Sequence, residues 1–256
     1  MDTLDPLAAR IERLRSLSLE RTRSLDAARL ENAKASLQAM RELSIRRWEA
    51  RMAEDYLDAS LETCDDDANN HEALETCREL AGDPAAAALS GTILLLVGPV
   101  GTGKTLLAWA LARAIVRASW VRGGADPVAY WIEHSAEVPL GVNQVVFVSW
   151  KNWLERVKAS WDGDKRGPRA QQLVDAEWLV LDDVGAPDTL TEWSQGQLFT
   201  VVDGRSAARR PLVVTSNFPL TADDPCGIDP RIIDRLTSAA RCWREPLTGP
   251  SRRQKR

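Results

Sequence analysis

The chain has 256 residues, a formal net charge of −4, and 44% apolar against 27% charged residues. That length suits one sizeable α/β domain plus an extra segment. The mild acidity excludes a molecule that holds nucleic acid by bulk charge, so any DNA contact must come from a local patch. The start, MDTLDPLAAR, is polar, and the longest apolar run, 93–97, is far too short to cross a bilayer. The expectation is a cytoplasmic protein with no membrane association.

Residues 1–52 are rich in Arg, Glu, Leu and Ala and contain no Gly. Leu30, Ala33, Leu37 and Met40 recur at helical spacing. This predicts one or two helices with a charged outer face and an apolar stripe that needs a surface to bury against. A partner-binding region is favoured over a solvated hairpin. Asp65, Asp66, Asp67, Asn69 and Asn70 then form an acidic, turn-prone break. A helix follows over 72–80, ended by Gly82, Asp83 and Pro84.

From there strands and helices alternate. Strands are predicted at 92–97, 145–148, 178–181 and 212–215, and helices at 106–116, 150–161, 192–203 and 231–239, with a basic loop at 163–169. Such alternation predicts a parallel sheet covered on both faces. The 10 tryptophans are spread along the chain; most are expected as core or partner-facing residues and a minority as base-stacking platforms. Cys64, Cys77, Cys226 and Cys242 make no C-x-x-C pair, and His71 and His134 lack zinc spacing with them, so reduced structural cysteines are expected.

The chemistry concentrates in four places. Residues 98–105 read GPVGTGKT and match G-x-x-x-x-G-K-[ST] through Gly98, Gly103, Lys104 and Thr105. A buried-strand pattern precedes them and a helix pattern follows, the context of a phosphate-binding P-loop. Glycines let the backbone wrap phosphate oxygens with N–H groups pointing inward, and the next helix adds its positive end. The expected nucleotide contacts are Gly98, Pro99, Val100, Gly101, Thr102, Gly103, Lys104, Thr105 and Leu106. Lys104 faces the β- and γ-phosphates of ATP and Thr105 coordinates Mg2+.

Trp178-Leu179-Val180-Leu181 is a buried strand that delivers Asp182 and Asp183 at its carboxyl end, where parallel sheets bind ligands. Asp182 is assigned to the Mg2+ shell and Asp183 to the attacking water. Val213-Val214-Thr215-Ser216-Asn217 ends another strand, and Asn217 is assigned to reach between Asp182 and the γ-phosphate. Arg231 and Arg235 lie four apart on a helical face near Asp234. They read either as a surface salt-bridge helix or as an arginine that reaches a neighbouring subunit's γ-phosphate, with Arg235 first and Arg231 as fallback.

In the order GPVGTGKT, LVLDDVGA, RRPLVVTSN and RIIDRL, the chain resembles the AAA+ ATPases of the DnaC/DnaI helicase-loader and IstB transposition-helper group, from about residue 56 onward. Tyr56 to Leu61 resembles their lead-in segment. Thr191, Glu192, Trp193, Phe199 and Arg205 resemble the helix between the acidic and sensor strands. Gly249-Pro250-Ser251-Arg252-Arg253 resembles their Gly-x-Ser-x-Arg ending. The resemblance implies an AAA+ core at 53–256 without a C-terminal lid, preceded by a helical partner-binding region at 1–52. The N-terminal region shows no zinc-ligand pattern like that of some DnaI-type loaders.

The resemblance further implies a hexameric replicative DNA helicase as partner, single-stranded DNA as the site of loading, and ATP-dependent self-association with slow, partner-dependent hydrolysis. Lys158, Lys165, Arg166 and Arg169 are the expected DNA-backbone contacts. An IstB-type ATPase that assists transposition shares this core. A small-molecule P-loop kinase would need an acceptor pocket and an arginine-bearing lid, and the Thr-Ser-Asn strand and late Arg-x-x-x-Arg argue against it. An ATP-binding adaptor without hydrolysis is disfavoured by the intact Lys104, Asp182 and Asp183.

Overall fold

The computed structural model describes residues 10, 12–13, 15–17, 27–118, 120–121, 124–133, 145–161, 167–223, 227–238 and 242–252. Cys226, His134, Lys165, Arg166 and Arg253, singled out above, lie outside them. Helix α1 spans Ala27–Glu49, α2 His71–Gly82, and α3 Pro84–Ser90. Strand β1 (Ile93–Val97) leads into α4 (Lys104–Arg117), followed by α5 (Pro127–Glu133). Then come β2 (Val145–Ser149), α6 (Trp150–Ala159), α7 (Ala170–Asp175) and β3 (Trp178–Asp182). The chain continues through α8 (Glu192–Ala207), β4 (Leu212–Ser216), α9 (Pro230–Thr237) and β5 (Cys242–Pro246).

The five strands pair in the order β2-β3-β4-β1-β5, all parallel. The unbroken apolar runs in β1, β3 and β4 are explained by burial on both faces. Leu94, Leu96, Trp178, Val180 and Val213 face the layer that contains α2 and α4. Ile93, Leu95, Leu179, Leu181 and Val214 face the layer of α6, α8 and α9. The two-layer covering expected from strand–helix alternation is the architecture found.

Several elements escape the sequence patterns. α3 is marked by Asp83, whose carboxylate accepts from Ala86 N at 3.0 Å, and by Gly91 at φ 66° just past its end. β5 carries Arg244, Glu245 and Pro246, so it has no apolar run, as befits an edge strand. Its Glu245 is buried and accepts from the Thr76 hydroxyl at 2.9 Å. Arg205 on α8 is fully buried, and its guanidinium donates to the carbonyls of Leu173 and Ala176 at 2.7 Å and to that of Pro211. It ties the end of α7 and the approach to β3 to the start of β4, which fixes the two strands that carry the polar site residues.

Helix α1 packs on this core through a face that shares Leu37 with the predicted stripe but leaves out Met40. Leu37, Arg41, Ile45 and Trp48 share one side at helical spacing. Leu37 is buried beside Val121 with Val128 and Tyr130 packed against it. Arg41 donates to the carbonyl of Arg117 at 2.8 Å. Trp48 is buried with Met52 in the α2/α4 layer, and its Nε1 donates to Val145 O at 2.8 Å. Met40 is 45% exposed and Leu43 49% exposed. An arginine within the packed face hid it from an apolar-only count. Packing therefore crosses the 52/53 boundary. Among the described residues, no helix is long and apolar enough to cross a membrane.

Candidate functional site

The P-loop sequence lies between β1 and α4, at the carboxyl end of the sheet. Gly98 has φ 142°, and a Cβ there would lie 2.0 Å from Leu247 O. Gly101 has φ 87°, and a Cβ there would lie 2.2 Å from Ser251 Oγ. Both glycines are therefore demanded twice, by a left-handed backbone and by close approach of the C-terminal segment. Lys104 begins α4 and is largely buried; its ammonium donates to the carbonyls of Gly98 at 2.8 Å and Pro99 at 2.7 Å. The 14-residue helix α4 starts here, so its first-turn N–H groups and positive end point toward the loop.

The acidic partners meet this loop from β3. The hydroxyls of Thr105 and Thr215 both donate to Asp182 Oδ1, at 2.9 and 2.7 Å. The Asp183 N–H donates to Thr215 Oγ1 at 2.9 Å, and Asn217 Nδ2 donates to Asp183 Oδ1 at 3.0 Å. Asp183 sits at φ 60°, unusual for a residue with a side chain, and these bonds hold it there. Asn217 is thus bonded to Asp183, beside the Asp182 carboxyl that it is expected to flank. The residue on Asp182 is Thr215, which sequence reasoning passed over. Its signal was strand parity: Thr215 shares a face with Val213, the face of the α4 layer.

Burial pushes the Asp182 carboxyl above the usual carboxylate range, against the hydrogen bonds from Thr215 and Thr105 that favour its anion. Partial burial beside two hydroxyl donors is an environment in which a nearby cation would favour the anion. The hydroxyl of Thr105 and the carboxylate of Asp182 are oxygen donors of the type that would hold a divalent cation.

The C-terminal segment closes the outer side of the loop. Leu247 N donates to Val97 O at 2.7 Å and Arg252 N to Gly101 O at 2.9 Å. The Arg252 guanidinium then reaches Asp67 at 2.8 Å, while Thr248 N donates to Asn69 O at 3.1 Å. The acidic turn is thereby tied to the phosphate loop from 185 residues away in sequence. A cavity of about 560 Å3 lies between that turn and the segment, lined by Asn69, His71 and Thr248.

Arg231 and Arg235 stand apart from this cluster. Arg235 Nε donates to Asp203 at 2.7 Å, and Arg231 pairs with Asp229 at 2.7 Å and lies over the Phe199 ring. Neither has a contact with the phosphate loop or its acids among these bonds. Of the expected DNA contacts, Lys158 lies over the Trp193 ring, 5.3 Å from its centroid. Trp161, 62% exposed, meets the same ring edge-on at 5.0 Å.

No family model and no curated protein matches the chain. Its structural neighbours are DnaC, DnaI and DnaA. The crystal structure of the DnaC helicase loader superposes with a TM-score of 0.54 at 20% identity, covering 75% of this chain and 99% of that one. The DnaI crystal structure gives 0.55 at 19% identity, covering 80% and 99%. The replication initiator DnaA, bound to AMPPCP and single-stranded DNA, gives 0.51 at 17% identity, covering 79% of this chain and 53% of that one. The fold is that of the AAA+ P-loop domains of these proteins.

Proposed function

We propose that this chain is an AAA+ ATPase that loads a hexameric replicative DNA helicase onto single-stranded DNA. The observation that carries the ATP assignment is the bonded series Thr105–Asp182–Thr215–Asp183–Asn217 beside Lys104. Residues 98–106 would hold the phosphates, and the cavity beside Asn69 and Thr248 has room for the base. Mg2+, when bound at Thr105 and Asp182, neutralises phosphate charge. Asp183, oriented by Asn217, is the base for the attacking water. Arg235 or Arg231, remote from its own site, completes that of a neighbour.

The loader reading is supported by the fold shared with DnaC and DnaI across nearly their whole length. It is also supported by an exposed Trp161 beside Trp193 and Lys158, an aromatic and cationic surface of the kind that stacks single-stranded bases. Residues 1–52, with Met40 and Leu43 outward, are the surface for the helicase.

The test mixes the chain with the replicative helicase of the same cell, with and without ATP, and measures complex formation and helicase transfer to single-stranded circles. An ATP-dependent complex and transfer are expected, with Asp183→Asn binding ATP yet not turning it over. Duplex DNA binding without any helicase complex would favour the transposition-helper reading instead.

A further inference from the structure

A second cavity, about 760 Å3, lies along β2 and shares only Thr105 and Asp182 with the nucleotide reading. Its size is that of small-molecule sites. The segment after α1 contributes Arg51 and Tyr56, and α6 contributes Asn152 and Arg156. Phe147 and Trp109 line it as a stacked pair with centroids 3.6 Å apart. Thr105 and Asp182 border it too.

Two observations set it apart from a packing gap. Arg51 and Arg156 are both exposed, and neither guanidinium has an ion-pair or hydrogen-bond partner among the described residues. Elsewhere around α4 and the site, Arg113, Arg117 and Arg252 are all paired. The bond from Trp48 to Val145 O also shows that the polar backbone groups of Val145 point to the outer edge of the sheet. By strand alternation those of Phe147 and Ser149 do as well, along the same wall. Asp182 Oδ1 is already held by two hydroxyls. The cationic groups of the cavity are the two guanidinium groups.

We propose that this cavity is a second ligand site, for a planar aromatic anion of nucleotide size. The ring lies against Phe147 and Tyr56, and the anionic group is taken by Arg51 and Arg156. Asn152 and the edge of β2 supply hydrogen bonds. Because Thr105 and Asp182 border both sites, occupancy and metal–nucleotide binding are coupled, and the coupling is reciprocal. That coupling rests on the nucleotide reading above; the site itself does not.

The full chain is titrated with anilinonaphthalene sulfonate, a fluorescent planar anion, and with its neutral counterpart phenylnaphthylamine. Saturable binding of the sulfonate is expected, weakened about tenfold by Arg51→Gln and again by Arg156→Gln. Asn152→Trp, which fills the cavity from an exposed position, should block it, and Lys104→Ala should leave it in place. Displacement by thymidine monophosphate identifies a free nucleotide as the natural source; displacement by oligothymidylate alone identifies a nucleotide within a strand. Equal binding of the neutral probe, binding that survives both arginine substitutions, or loss in Lys104→Ala overturns the proposal. A chain that takes the sulfonate through its arginines but never binds ATP would sink the nucleotide reading and leave this site standing.

Discussion

The phosphate loop and helix α1 are both built on α4, from opposite ends, and they differ in how they are encoded. The loop end is written in contiguous sequence: Lys104 and Thr105 open α4 directly after the glycines that need them. The α1 end is written in scattered residues. Trp109 meets Trp48 edge-on at 5.6 Å, and Arg113 and Arg117 converge on Glu49 at 2.8 and 2.7 Å. These partners are separated by 64 and 68 residues. A local motif can be recognised from its spacing. A long-range joint is recognisable only once the fold has brought its halves together. The arrangement also puts the helix that reads the phosphates in direct contact with the region proposed to read the partner.

Four experiments test this contrast. The largest effect is expected at the loop end: Lys104→Ala removes the buried cation facing the phosphates and should weaken ATP binding about a thousandfold in a fluorescent-nucleotide titration. An unchanged affinity would falsify the phosphate-loop assignment. Next is the α1 end, where Trp48→Ala should destabilise the fold by about 3 kcal/mol in urea unfolding. Deletion of residues 1–50 should then cost folding as well as partner binding, because Trp48 lies in the core. A truncated chain as stable as the whole would mean that α1 is a separable arm after all.

The third experiment follows Asp182 with pH. Burial raises its pKa, so the folded chain holds this proton more tightly than the unfolded one. Its contribution to stability is present at low pH and is lost as pH rises through the raised value. Mg2+ needs the anion, so Mg2+-dependent nucleotide affinity should fall about tenfold per pH unit below that value. The fall should begin at a higher pH than an ordinary aspartate would give, and Asp182→Asn should abolish the dependence. A profile identical in the variant would place the titrating group elsewhere. The smallest effect is expected on the outer face of α1. Met40→Ser with Leu43→Ser should change stability by no more than about 0.5 kcal/mol while weakening the helicase complex. A large loss of stability would show that this face packs on its own chain.

Much of the site was legible because its parts are short and periodic. Three buried strands could be read from TILLLV, WLVL and LVVT; the first leads into the glycine-rich turn and the other two into polar residues at their carboxyl ends. Thr215 is less legible than the terminal Asn217, because it lies inside a buried run and looks like a strand former. Only the paired registers of β3 and β4 reveal that its hydroxyl joins both aspartates. β5 and the packed face of α1 stayed hidden for a related reason: each mixes charged residues into a surface that is nonetheless covered.

The class of sheet is written along the chain, and so is the meeting of the GPVGTGKT turn, Thr105 and Asp182 at its carboxyl end, because strand burial and tight turns act over a few consecutive residues. The tertiary structure alone decided that the C-terminal segment closes the loop against Gly98 and Gly101, that α1 is joined to α4 through Trp48 and Glu49, and that Arg51 and Arg156 border one cavity. Those arrangements depend on groups far apart in the chain, whose meeting is fixed by packing of whole layers and leaves no periodic trace along it.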